Sequence, residues 1–204
     1  DKGGYRHYME KEIHEQPAAI ANTLAAMTGV DGKLSSPLSR DDLADITGIV
    51  MLAAGTSHYA SMVARYWIES LARVPVTCEV ASEYRYRNPV TSTYSTAIAI
   101  SQSGESLDTL MAMRHAGDSG LQTIGLVNVD GSTIAREADI VMPTRAGTEI
   151  GVASTKTFTA QLTTLLSFAI ALAEARGKIS ADRRDELHDH IQRLPSLVGK
   201  TLNL

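Results

Sequence analysis

Residues 48–57 read GIVMLAAGTS and residues 96–106 read TAIAISQSGES. Each begins as a short run that is apolar almost throughout, ends in glycine and small hydroxyl residues, and then gives way to helical spacing. A strand buried on both faces has no polar side to alternate with, so such runs between helices predict a parallel sheet covered on both sides. The same pattern places strands at 48–54, 76–81, 96–101, 122–127 and 140–143, with helices at 57–72, 106–119 and 132–137 between them. The fold class is α/β: a doubly wound, five-stranded parallel sheet. In the order 2-1-3-4-5, the first and third strands flank the topological switch point, and the two quoted runs end there.

Outside the sheet, residues 5–27 form helices, with Pro17 in the first turn of the second one. A loop follows at 28–40 and an amphipathic piece at 41–46. The tail adds helices at 154–176 and 180–204, the latter interrupted or bent at Pro195. This divides the chain into a helical linker at 1–40 and the sheet domain with its carboxyl-terminal helices at 41–204. Residues 157–173 carry no charge, but the run is short for a membrane span and holds four Thr, one Ser and one Gln, so it reads as a buried helix. The chain starts Asp1-Lys2-Gly3-Gly4, without Met or a signal-like apolar segment, and reads as a piece of a longer polypeptide.

At 204 residues and 44% hydrophobic content the chain suffices for one buried core. Its net charge of -4, with both signs interspersed, leaves no electrostatic footprint for nucleic acid or anionic lipid. Arg85 and Arg87 alternate with Tyr84 and Tyr86, which reads as a packed helical turn. Cys78, the one cysteine, allows no internal disulfide and fits a reducing, cytoplasmic compartment.

Gly55-Thr56-Ser57, Ser101 to Ser106 and Val152 to Thr155 each place hydroxyl side chains where an apolar run ends or a helix begins. A phosphate accepts hydrogen bonds from the unpaired amides of a helix first turn and from Ser or Thr hydroxyls, each worth about 1.5–3 kcal/mol to a charged group. Converging loops of this kind predict an oxyanion site without a lysine. Glu105 and Asp108 put negative charge beside it and are expected to point away or pair elsewhere. Neither G-x-G-x-x-G nor G-x-x-x-x-G-K-S/T is present, which argues against dinucleotide and ATP binding. His188 and His190 read as surface residues, since two positions apart on a helix they share no face, and no metal site is expected. His58 reads as a first-turn helix residue or one that faces the crevice, Glu149 as a loop-orienting group or a base, and Lys156, the one cation near the candidate anion site, as an anion contact or as a structural or surface lysine.

The segments DKGGYRHYMEKEIHEQP (1–17), LAAGTSHYASMVARYWIESLARVPVTCEVASEYRYR (52–87), SQSGE (101–105) and AGTEIGVASTKTFTAQL (146–162) closely resemble the isomerising glutamine:fructose-6-phosphate aminotransferases, the glucosamine-6-phosphate synthase family. The resemblance runs nearly end to end. It covers the segment that follows the glutaminase domain and the first of two sugar isomerase (SIS) domains. It implies substrate contacts from Thr56, Ser57, Ser101, Gln102, Ser103 and Ser106. Of these, Ser101, Ser103 and Ser106 would hold the phosphate, and Val152 and Ser154 would line the sugar end. It implies fructose-6-phosphate and glucosamine-6-phosphate as ligands, no cofactor, and a homodimer. The catalytic acid and base groups are expected in a second SIS domain and a carboxyl-terminal tail, so none is assigned here. Ala54 stands where the family usually has Cys. The alternatives are a non-catalytic phosphosugar-sensing module and a purely structural dimerisation module.

Overall fold

A computed structural model describes residues 1–203, and its sheet has the expected order, β2-β1-β3-β4-β5, parallel throughout. The strands are β1 (Ile49–Ala53), β2 (Val76–Val80), β3 (Thr96–Ser101), β4 (Gln122–Val127) and β5 (Ile140–Pro143). The helices are α1 (Tyr8–His14), α2 (Gln16–Ala26), α3 (Arg40–Ala44), α4 (Gly55–Leu71), α5 (Ala81–Tyr84), α6 (Leu107–Asp118), α7 (Thr133–Glu137), α8 (Lys156–Ala175), α9 (Ala181–Gln192) and α10 (Leu194–Leu202). Pro17 and Pro195 both sit in the first turn of a helix, where a missing N–H costs nothing. The expected 180–204 helix is thus two helices, and its last position, Leu204, lies outside the described residues.

Side-chain parity sorts the strands into two cores. On one face Ile49, Met51, Ala53, Ile98, Ile100, Ile124, Leu126 and Met142 pack with Ala60, Ala64 and Ile68 of α4 and with Leu165, Phe168 and Leu172 of α8. On the other, Val50, Leu52 and Ala97 pack with Tyr84 of α5 and Ala112 and Ala116 of α6, while Ala99 and Val127 meet Met113 and Ile134. Every strand residue of β1 and β3 is buried, which is why neither run alternates.

The charge-free run forms α8, the single helix among the described residues long and apolar enough to cross a membrane. It is buried instead, because a third layer covers its outer side: Ile20 and Leu24 of α2 and Ile191 of α9 close over Ile170. At about 1.5–3 kcal/mol per fully buried Leu, Ile or Phe side chain, this layer is a large part of the stability. It also corrects one expectation. His188 is buried at 5% exposure, its Nε2 3.1 Å from the Gln192 Nε2, while His190 is exposed. The pair shares no face, but one of the two faces, 188 and 191, turns inward.

Candidate oxyanion site at the sheet edge

All strands point one way, so the helices that follow them begin at the same edge. β1 pairs with β3 in register, Ala53 opposite Ile100, which brings the chain leaving Ala54 and the chain leaving Ser101 out side by side, about 4.8 Å apart. Ala54 is extended and Gly55, at φ +57, turns straight into α4, so the amides of the first turn have no helical partner. Ser57 is buried, and its Oγ accepts from the Gln161 Nε2 of α8 at 2.9 Å. The half-buried Thr56 hydroxyl has no partner among the described residues.

The second loop folds on itself. Ser101 Oγ accepts from the Gly104 N–H and Ser103 Oγ from the Glu105 N–H, both at 3.1 Å, and Ser106 Oγ accepts from the Thr109 hydroxyl at 3.1 Å. A serine hydroxyl has one proton and two lone pairs. Ser57, Ser101, Ser103 and Ser106 each spend a lone pair internally and keep the proton, so all four remain donors. Gly104 makes the turn possible, at φ +66 and packed on Ser132, the N-cap of α7, while its carbonyl accepts from Ile134 N at 3.0 Å. The Gln102 carbonyl accepts from Asn128 N, and no hydrogen bond within the described residues engages the Gln102 side-chain amide.

The two acids beside this loop behave as expected. Glu105 is exposed and its carboxylate accepts from the Thr133 N–H at 2.8 Å, a bond that holds its carboxyl below the usual carboxylate range. Asp108 is exposed on α6.

The third segment differs from the other two. Glu149 accepts from Ser154 Oγ at 2.9 Å, from Thr155 N at 2.9 Å and from Thr157 N at 3.2 Å, capping α8 in place of Thr155. Ser154 donates its proton to Glu149 and accepts from Phe158 N, so toward a ligand it offers a lone pair. That suits a sugar hydroxyl rather than a phosphate oxygen. The Val152 side chain is fully exposed and packs on no part of this chain. His58 is half-buried in the first turn of α4. Lys156 is structural: it is 5% exposed and its Nζ lies 2.6 Å from Glu15 Oε2, a contact that also lowers the Glu15 carboxyl. Arg85 stacks on the Tyr86 ring, its guanidinium 4.5 Å from the centroid, beside the buried Tyr84.

Sequence reasoning missed three supporting residues. Gln161 holds Ser57, Asn128 accepts from Ala146 N and donates to the Gly147 carbonyl, and Glu12 reaches the loop before α8 from α1. Polar residues on amphipathic helices and loops carry no signal of which distant backbone they meet. A groove of about 710 Å³ lies at the opposite edge between the end of α6 and the start of β4. Of its charged lining residues, Arg114 and Glu137 pair with each other and Asp139 accepts from Thr123, so size alone does not make it the site.

These features define a doubly wound α/β domain with a cradle of neutral donors at its switch point. The chain belongs to the SIS domain family, whose profile matches residues 42–171. It is 47% identical over 203 residues to the glutamine--fructose-6-phosphate aminotransferase (isomerizing) of Zymomonas mobilis, an alignment covering 99% of this chain and 33% of that protein. The enzyme of the same name from Pseudomonas putida is 46% identical over 206 residues, covering 99% and 34%. Among solved structures, the C-terminal domain of glucosamine-fructose-6-phosphate aminotransferase from Francisella tularensis superposes with a TM-score of 0.90 at 40% identity, over 97% of this chain and 56% of that one. The chain therefore spans about a third of the length of the curated relatives it matches.

Proposed function

We propose that residues 41–204 are the phosphosugar-binding SIS domain of an isomerising glutamine:fructose-6-phosphate aminotransferase, and that residues 1–40 are the helical segment leading into it. Fructose-6-phosphate and glucosamine-6-phosphate are its ligands. Ser101, Ser103 and Ser106, with first-turn amides, take the phosphate; Thr56, Ser57 and Gln102 lie nearer the sugar; Ser154 and Val152 bound its far end. The observation that carries this reading is the state of the four serines, each satisfied as an acceptor from inside and left with a proton to donate at an edge where helix first turns converge. Three to five such bonds at about 1.5–3 kcal/mol each offset the desolvation of a dianion without a cation.

Moving a proton between C1 and C2 of an opened sugar, as an aminotransferase that yields glucosamine-6-phosphate must, needs a positioned acid and base. The cradle is built of hydroxyls and amides, which bind but do not shuttle protons at neutral pH. The chain by itself is therefore a binder and not a catalyst. The reading extends to a homodimer, supported by α4, which exposes Tyr59, Met62, Val63 and Tyr66 as an apolar stripe at i, i+3, i+4 and i+7.

Calorimetric titration with glucosamine-6-phosphate, inorganic phosphate and unphosphorylated glucosamine tests the proposal. Binding of the first two and not the third is expected. Equal affinity for glucosamine and its 6-phosphate, or turnover of fructose-6-phosphate by the chain alone, would refute it.

A further inference from the structure

Residues 144–155 join β5 to α8 without regular structure, and the loop takes its shape from outside. Glu12 of α1 is 2% exposed, and its carboxylate accepts the Ile150 N–H at 2.5 Å and the Gly151 N–H at 3.0 and 3.2 Å. A Cβ on residue 151 would lie 2.5 Å from Glu12 Oε2, so the carboxylate fills the space another side chain would need. No cation pairs with Glu12 among the described residues. A buried carboxylate must be compensated by hydrogen bonds, which makes the loop amides its chief compensation and the carboxylate the anchor of the loop. Contacts from α2 and from the α1–α2 junction flank the loop: Thr23 Oγ1 accepts from Arg145 N at 3.0 Å, and at the start of α8 Glu15 pairs with Lys156 and Gln16 Oε1 accepts from the Thr159 hydroxyl at 2.6 Å.

We propose that Glu12 is a positioning residue for the sugar end of the crevice. It lies outside the region the SIS profile covers, yet it sets the backbone at Ile150 and Gly151 and with it the placement of Val152 and Ser154. The inference rests on the reading above that this segment meets the sugar rather than the phosphate. The amino-terminal helices are then part of the binding site and not only its lead-in.

The test uses the whole chain with Glu12→Ala, Glu12→Gln and Gly151→Ala. Amide exchange at Ile150 and Gly151 is followed by NMR, and affinities for glucosamine-6-phosphate and inorganic phosphate by calorimetry. Glu12→Ala speeds exchange at both amides by about tenfold or more and weakens the sugar phosphate by about tenfold, while inorganic phosphate stays within about twofold. Glu12→Gln keeps one acceptor oxygen and recovers part of the loss, and Gly151→Ala reproduces the sugar-selective loss by displacing the carboxylate. Unchanged exchange in Glu12→Ala overturns the inference, as does an equal loss for both ligands, which would mark general loosening. If the wild-type chain binds neither ligand, the proposed function falls, and the exchange rates alone decide whether Glu12 holds the loop.

Discussion

Replacing Gly104 by alanine isolates the turn on which the cradle depends. At φ +66 an L residue adopts a left-handed conformation costing about 1–2 kcal/mol. The added Cβ would also fall inside the van der Waals shell of Ser132 Oγ and Cβ, and 3.2 Å from Val127 Cγ1. Overpacking of this kind costs about 1–3 kcal/mol, for a total near 2–5 kcal/mol. Gly55 provides the control, because its φ is +57 but no heavy atom lies within 4 Å of where its Cβ would be. Gly55→Ala should therefore show the conformational cost alone. With about 2–4 °C of melting temperature per kcal/mol at this chain length, Gly55→Ala loses about 2–8 °C and Gly104→Ala about 4–20 °C. Ser132→Gly removes both clashing atoms and, as a change at a helix N-cap, costs only about a few tenths of a kcal/mol itself. The double variant Gly104→Ala/Ser132→Gly should thus return to about the Gly55→Ala level, read by calorimetric melting. Equal losses at the two glycines, or no recovery in the double variant, would show that contact with α7 does not shape the 101–106 turn.

Ser101→Ala removes a phosphate donor and should weaken glucosamine-6-phosphate by about 10–150-fold in calorimetry, and the Gly104 N–H it leaves unpaired should lower the melting temperature by about 2–12 °C. Leu24→Ala opens the third layer over α8, where Leu24 is 1% exposed; a loss of about 2–5 kcal/mol in urea unfolding is expected, and a loss below about 1 would deny that this layer stabilises the fold. The carboxyl of Glu15 is lowered chiefly by its hydrogen bond from Lys156, and that of Glu105 by the Thr133 N–H. A lowered folded value means the contribution is complete above the ordinary value of 4.5 and fades as pH falls through the lowered one. Urea midpoints should accordingly drop below that pH, and Glu15→Gln should flatten part of the drop.

Strand existence and parallel pairing were legible because fully buried strands leave an unmistakable apolar run, and β1 and β3 are such runs; the order 2-1-3-4-5 was not in those runs and came with the fold that the family resemblance implied. The hydroxyl loops were legible for a related reason: glycine and serine at a strand end mark both a sharp turn and a site of unpaired amides. Helix ends moved by one or two residues, as at α8, where Glu149 rather than Thr155 supplies the cap.

Sequence by itself thus determined what is local: period, turn chemistry, and the sign and number of donors at each strand end. Only the tertiary structure decided what each donor does. It turned Ser154 into an acceptor by giving its proton to Glu149, left the Val152 side chain in solvent, buried His188 against the third layer, and brought Glu12 to amides 138 and 139 residues away. The reason is that a hydrogen bond's direction and a side chain's burial depend on which distant backbone arrives beside it, and spacing along the chain carries no record of that.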